Sequence, residues 1–91
     1  MNYTFKASEN FWKSFHRLSN AQKAHARAAW QIFKRNPFDP QLGTHKIQRL
    51  SAVHGKTVYA VRIEADLRAV FSVEGDLVFT IDIGTHALYR T

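Results

Sequence analysis

Residues 57–83 read TVYAVRIEADLRAVFSVEGDLVFTIDI, and this stretch decides the fold. β-Branched and aromatic residues dominate it, and two short polar breaks, EAD and EGD, divide it into three strands. A two-residue loop at Gly75-Asp76 with glycine first suits a type II′ hairpin. If Glu74 pairs with Leu77 across that turn, Arg68 falls opposite Ile83. His86 then lies roughly 10 Å further along the strand, at about 3.3 Å per residue. In the preceding strand, alternation puts Tyr59, Val61 and Ile63 on one face and Val58, Ala60 and Arg62 on the other. Arg62, Arg68 and His86 can therefore gather near one end of the sheet, away from the helices.

Upstream, Asn2 to Lys6 alternates polar and apolar, with Tyr3 and Phe5 on one face, as a short strand does. Ser8 is a good N-cap and Glu9 suits the first turn of a helix. Phe11, Phe15 and Leu18 recur at helical spacing, giving about three turns. Ser19 and Gln22 have capping-box spacing, so a second helix starts there and runs through AQKAHARAAWQIFKR. Ala21, Ala24, Ala28 and Ile32 lie on one side of it, and Asn36-Pro37 stops it. Trp12 and Trp30 are expected to pack in the core or between the two helices. HKIQRL, from His45, alternates like a strand, and HALYRT closes the sequence as a short tail. The expectation is an α+β domain, residues 1–91, in which an N-terminal strand and a helical hairpin pack on a twisted antiparallel sheet of about four strands.

Composition narrows the function class. Thirteen Lys and Arg against seven Asp and Glu give a net charge of +6, with five histidines besides, which favours a polyanionic or acidic partner. The absence of cysteine excludes disulfides and thiolate metal sites and fits a reducing compartment. The first fifteen residues, MNYTFKASENFWKSF, carry charges throughout and lack the apolar core of a signal peptide. No apolar run approaches the roughly 18 residues of a spanning helix, so the expected place is the cytoplasm. His16 and His25 are expected on the helix surface, without the neighbours at ligand spacing that a zinc site needs.

Residues 44–90 resemble the RelE/ParE toxin superfamily in five ordered elements: HKI, VRI after Gly55, EAD, RAVF and the ending GTHALY. The first half matches only in layout. Within the superfamily the chain is similar to the ribosome-dependent mRNA endonucleases. Its GTHALY ending and IEAD are like the YafQ-like branch, and Arg68 in RAVF is like the catalytic arginine of the RelE and YoeB branches. The chain departs from the YafQ-like branch at Arg62, where that branch has a histidine proposed as an acid–base group.

The resemblance implies metal-free RNA cleavage with no cofactor. A base takes the 2′-hydroxyl proton, a cation stabilises the phosphorane oxygens, and an acid protonates the departing 5′-oxygen. His86 is the first candidate for the acid or base, against the alternative of a histidine bonded to backbone at a strand end. Arg68 and Arg62 are candidate phosphate clamps, because a guanidinium fork binds two oxygens and stays charged. The alternative is a cross-strand ion pair with Glu64, Asp66 or Glu74. Asp66 either orients a base or ends a strand in a turn, the turn being favoured. Tyr89 either stacks on a base or packs the tail. His45, Lys46 and Arg49 are expected to form a basic strand against the RNA backbone. His54 and Lys56, flanking Gly55, are further candidates for contacting RNA.

The implied partners are mRNA on the ribosome and an antitoxin, acidic and partly disordered, that neutralises the +6 charge. Two alternatives stand beside the nuclease. One is a ParE-type inhibitor of gyrase, and the other a non-catalytic relative that binds only RNA or antitoxin.

Overall fold

The computed structural model of the chain describes residues 2–89, His86 and Tyr89 by their backbone alone. The elements are β1 (Thr4–Ala7), α1 (Glu9–His16), α2 (Asn20–Phe33), a 3-10 turn at Pro40–Leu42, β2 (His45–Lys46) and α3 (Gln48–His54). They continue with β3 (Val58–Glu64), β4 (Leu67–Glu74), β5 (Leu77–Gly84) and a 3-10 helix, His86–Tyr89. The five strands form one sheet in the order β1-β5-β4-β3-β2. The expected α+β class is present, with the quoted stretch supplying the three central strands.

Three features differ from the sequence reading. The sheet is mixed: β1 lies parallel to β5 at one margin, Phe5 beside Val78. The α1–α2 hairpin carries the chain from β1 to β2 at the opposite margin, and the β3-β4-β5 meander brings it back beside β1. HKIQRL is not a strand throughout; only His45 and Lys46 pair with β3, and Gln48 onward is α3. Ile47 and Leu50 stand three apart, which is helix spacing. The buried Leu50 and half-buried Ile47 both pack on the sheet beneath α3. Ser51 Oγ fixes that turn, donating to the Ile47 carbonyl at 2.8 Å and accepting from the Val58 N–H at 2.9 Å. Finally, the β4–β5 register slips by one residue between Val70 and Phe71, leaving Ile81 as the extra residue of a bulge. Arg68 therefore sits opposite Gly84 rather than Ile83. A matching shift in β3 lies between Arg62 and Glu64.

The turns are as the residues suggest. Gly75 has φ +62° and no non-glycine residue among those described has positive φ, which is the pattern of a type II′ turn with glycine first. Ser8 caps α1 by accepting from the Phe11 N–H, and Ser19 and Gln22 form the expected capping box on α2. The first helix is shorter than expected, two turns ending at His16, and Leu18 falls in the link.

Both faces of the sheet are covered. Beneath α1 and α2, Phe71 is wholly buried at the centre of an aromatic group, 4.9 Å from Phe33 and 5.4 Å from Tyr59 between ring centroids. On the other face Val58, Ala60 and Val70 meet Leu50 of α3 and Leu88 of the last helix. The buried side of α2 is not the alanine stripe. Ala26 and Phe33 are buried and Ala29 and Ile32 half-buried, while Ala21, Ala24 and Ala28 are exposed. A methyl returns little on burial, so the phenylalanine and isoleucine set the helix's rotation. Trp12 and Trp30 are not core residues either, being 50% and 42% exposed.

Candidate functional site

Arg62 and Arg68 face each other directly across β3 and β4. Directly opposed residues share a face, here the face turned away from α1 and α2. Arg62 is exposed. Arg68 is only 6% exposed, and its Nη1 donates to the Glu64 carbonyl at 2.5 Å and to the Leu67 carbonyl at 3.3 Å. A buried guanidinium is tolerable only when hydrogen-bonded, and these carbonyls, at the last rung before the Ala65-Asp66 turn, take two of the bonds it needs. Asp66 occupies the turn, as favoured from sequence.

The carboxylates considered as cross-strand partners of the arginines include two with other bonds. Glu64 takes a hydrogen bond from His25 Nδ1 on α2. Glu74 pairs with Lys56 at 3.0 Å, and that ammonium also lies 5.8 Å from the Phe79 ring centroid. His25 is thus exposed, as expected, but has an acidic neighbour that sequence spacing did not reveal.

Gly84, opposite Arg68, is where the chain turns back. A Cβ there would lie 3.3 Å from Leu88 Cδ2, so glycine lets the last 3-10 helix pack closely against the strand end. Thr85 supports the fold-back, its carbonyl accepting from the Leu88 N–H at 3.0 Å and its Oγ1 from the Ala87 N–H at 3.2 Å. The backbones of His86 and Tyr89 therefore follow immediately after the Arg68 rung. Their side chains, the candidate acid–base and stacking groups, lie outside the described residues. Gly84 went unread as a site residue although it opens the GTHALY motif.

The basic residues upstream divide between two elements. His45 pairs with Ala60 and so shares the face of Arg62, two residues away along β3. Its Nδ1–H donates to the Gly43 carbonyl at 2.9 Å. Lys46 faces the opposite way, beside Tyr59. Arg49 lies on α3 rather than on a basic strand, and His54 is that helix's last residue; all four are exposed. Lys56 is the member engaged elsewhere, with Glu74. Arg62 also borders a shallow hollow of about 230 Å³ with His25, Ile32 and Gln41. Among the described residues no group of three or more His, Asp or Glu is placed to hold a metal ion.

A second feature occupies the helical face. An apolar groove of about 530 Å³ opens between α1, α2 and the sheet, lined by Phe5, Phe11, Trp12, Phe15, Trp30 and Phe33. None of the α1 residues is buried. Lys6 and Arg27 stand at its margin, the Arg27 guanidinium 5.6 Å from the Phe15 ring centroid. The segment from Glu9 to Arg35, which supplies both helices, carries six Lys or Arg and one acidic residue, Glu9.

No protein-family model and no curated protein sequence matches the chain. Solved structures do. A chain of the archaeal RelE-RelB complex from Pyrococcus horikoshii OT3 superposes with TM-score 0.73 at 18% identity, over 100% of both chains. The toxin-antitoxin complex RelBE2 from Mycobacterium tuberculosis gives 0.69 at 15%, covering 94% of this chain and 100% of the other. YafQ from E. coli strain BL21(DE3) gives 0.67 at 17%, over 99% and 100%. The chain has the RelE/ParE toxin fold.

Proposed function

We propose that this protein is the toxin of a type II toxin–antitoxin system and cleaves mRNA on the ribosome without a metal ion. The observation that carries the reading is the rung of two arginines, Arg62 against Arg68, on the face away from the helical hairpin. Like charges directly opposed on a sheet destabilise the pairing. A phosphate on that face turns the repulsion into attraction. The buried Arg68 guanidinium sits in a low-dielectric surrounding, where its field at a phosphorane oxygen is stronger than in water. Arg62, exposed, reaches the flanking backbone, and His45 on the same face, with Arg49 on α3, extends that contact without selecting sequence. His86 is the acid or base, and Tyr89 holds the nucleotide. The 2′-oxygen attacks phosphorus as the bond to the 5′-oxygen breaks. His86 takes the 2′-hydroxyl proton or supplies the one the 5′-oxygen gains, solvent exchanging the other, while Arg68 stabilises the negative charge on the phosphorane oxygens.

The groove between α1 and α2 supports the antitoxin half of the proposal. Its aromatic walls and basic margin suit the apolar face of an acidic amphipathic helix, and solved proteins of this fold include toxin–antitoxin complexes. The place of action is the cytoplasm, in keeping with the absence of any described helix long and apolar enough to cross a membrane.

The 6% exposure of Arg68 favours a second reading, a relative that binds RNA or antitoxin without cleaving. One experiment separates them. The wild type and His86→Ala/Arg68→Ala are expressed in turn, following growth and translation-dependent mRNA cleavage together. Growth arrest with cleavage in the wild type alone is expected. Arrest with intact mRNA and stalled gyrase overturns the nuclease reading, and a harmless wild type supports the non-catalytic one.

A further inference from the structure

We infer that Glu64 is a positioning residue for Arg68, and that His25 on α2 holds it in place. Glu64 makes two contacts with different parts of itself. Its backbone carbonyl accepts from Arg68 Nη1 at 2.5 Å, and its carboxylate accepts from His25 Nδ1. It also stands at an irregular point of the strand, directly after the β3 register shift and opposite Leu67 on the last rung before the turn. Ladder ends lack a following rung, so the carbonyl direction there is set by local contacts rather than by the sheet. A tie from the side chain to a packed helix supplies that constraint.

α2 is a firm anchor because Ala26, the residue after His25, and Phe33 are buried in the core. The pair itself is exposed, with side-chain exposures of 60% for His25 and 33% for Glu64. Exposed ion pairs contribute little to stability, so the tie is better suited to orientation than to holding the fold. Because the carbonyl it orients belongs to the same residue, the position of the Arg68 guanidinium follows the position of the Glu64 side chain.

The first test does not depend on the proposed function. Side-chain ¹⁵N–¹H signals of Arg68, assigned with Arg68→Lys, report the hydrogen bonding and rotation of the guanidinium. Glu64→Ala and His25→Ala are expected to shift and broaden them, and Glu64→Gln, which keeps an oxygen acceptor for His25, to restore them. Arg68 signals unchanged in Glu64→Ala overturn the inference, provided the backbone spectrum stays folded.

A second measurement rests on the nuclease reading. Glu64→Ala lowers kcat for RNA cleavage on the order of ten- to a hundredfold, the scale of a misplaced reacting group, with KM little changed. In an Arg68→Ala background the same substitution has no further effect. A full additional loss there overturns the positioning role. Cleavage that survives Arg68→Ala undiminished instead overturns the nuclease role of Arg68 and leaves the spectroscopic result standing.

Discussion

The Ser8 hydroxyl donates to the Ile81 carbonyl at 2.6 Å while accepting from the Phe11 N–H at 2.9 Å. Ile81 is the extra residue of the β5 bulge. One side chain therefore caps the first helix and holds the irregularity that puts Gly84, rather than Ile83, across from Arg68.

Ser8→Ala removes both contacts and leaves a part-buried carbonyl without its donor. The expected loss in urea unfolding is about 1–3 kcal/mol, from the cap and the orphaned acceptor together. Ser19→Ala, at an exposed cap, costs about 1 kcal/mol. Equal losses at the two positions would show that the Ile81 contact adds nothing.

Phe71 is the hub of the helical-face core, and Phe71→Ala is expected to destabilise by about 3–5 kcal/mol. Domains of this kind have about 5–15 kcal/mol in total, so the variant should lie near its unfolding midpoint at moderate temperature. A thermal melt little different from wild type would place the core elsewhere.

The two arginines should separate by kind of effect. Arg62→Ala leaves stability within about 0.5 kcal/mol, as exposed substitutions do. It should reduce the slope of log K for RNA against log salt by about one. Arg68→Ala forfeits charge-assisted bonds to two carbonyls and costs about 1.5–3 kcal/mol. Calorimetry and salt titrations of RNA binding on the same variants decide this; a salt slope unmoved by Arg62→Ala removes it from the phosphate contacts.

Trp12 and Trp30, about half exposed in the groove, should emit like solvated indoles in the isolated protein. An acidic amphipathic peptide seated there shifts their emission to the blue, and Phe15→Asp abolishes the shift. A peptide that binds without moving the emission has found another surface.

Much of this was legible in the chain itself. The strands of 57–83, both serine caps, the glycine-first turn and the arginine-bearing face were readable because each follows from local alternation or a cap within four residues. What escaped depended on distant partners. The bulge at Ile81 is tied to Ser8, the partner of Glu64 is His25, and the exposure of Trp12 and Trp30 reflects two helices standing apart over the sheet. The helix at Gln48–His54 was missed for a nearer reason. Alternation in HKIQRL points to a strand, although Ile47 and Leu50 stand at helical spacing.

The pairing of β1 with β5 has a consequence for biogenesis. Ser8 and Ile81 are 73 residues apart, and the first strand has no neighbour in the sheet until the last has been made. Closing so long a loop is entropically slow. During synthesis, Tyr3, Phe5 and the aromatic side of α1 must wait uncovered while β3, β4 and β5 emerge. A nascent chain in that condition has an exposed apolar surface and an unfinished sheet. Anything that binds the helical hairpin early can intercept the protein before its arginine rung is assembled.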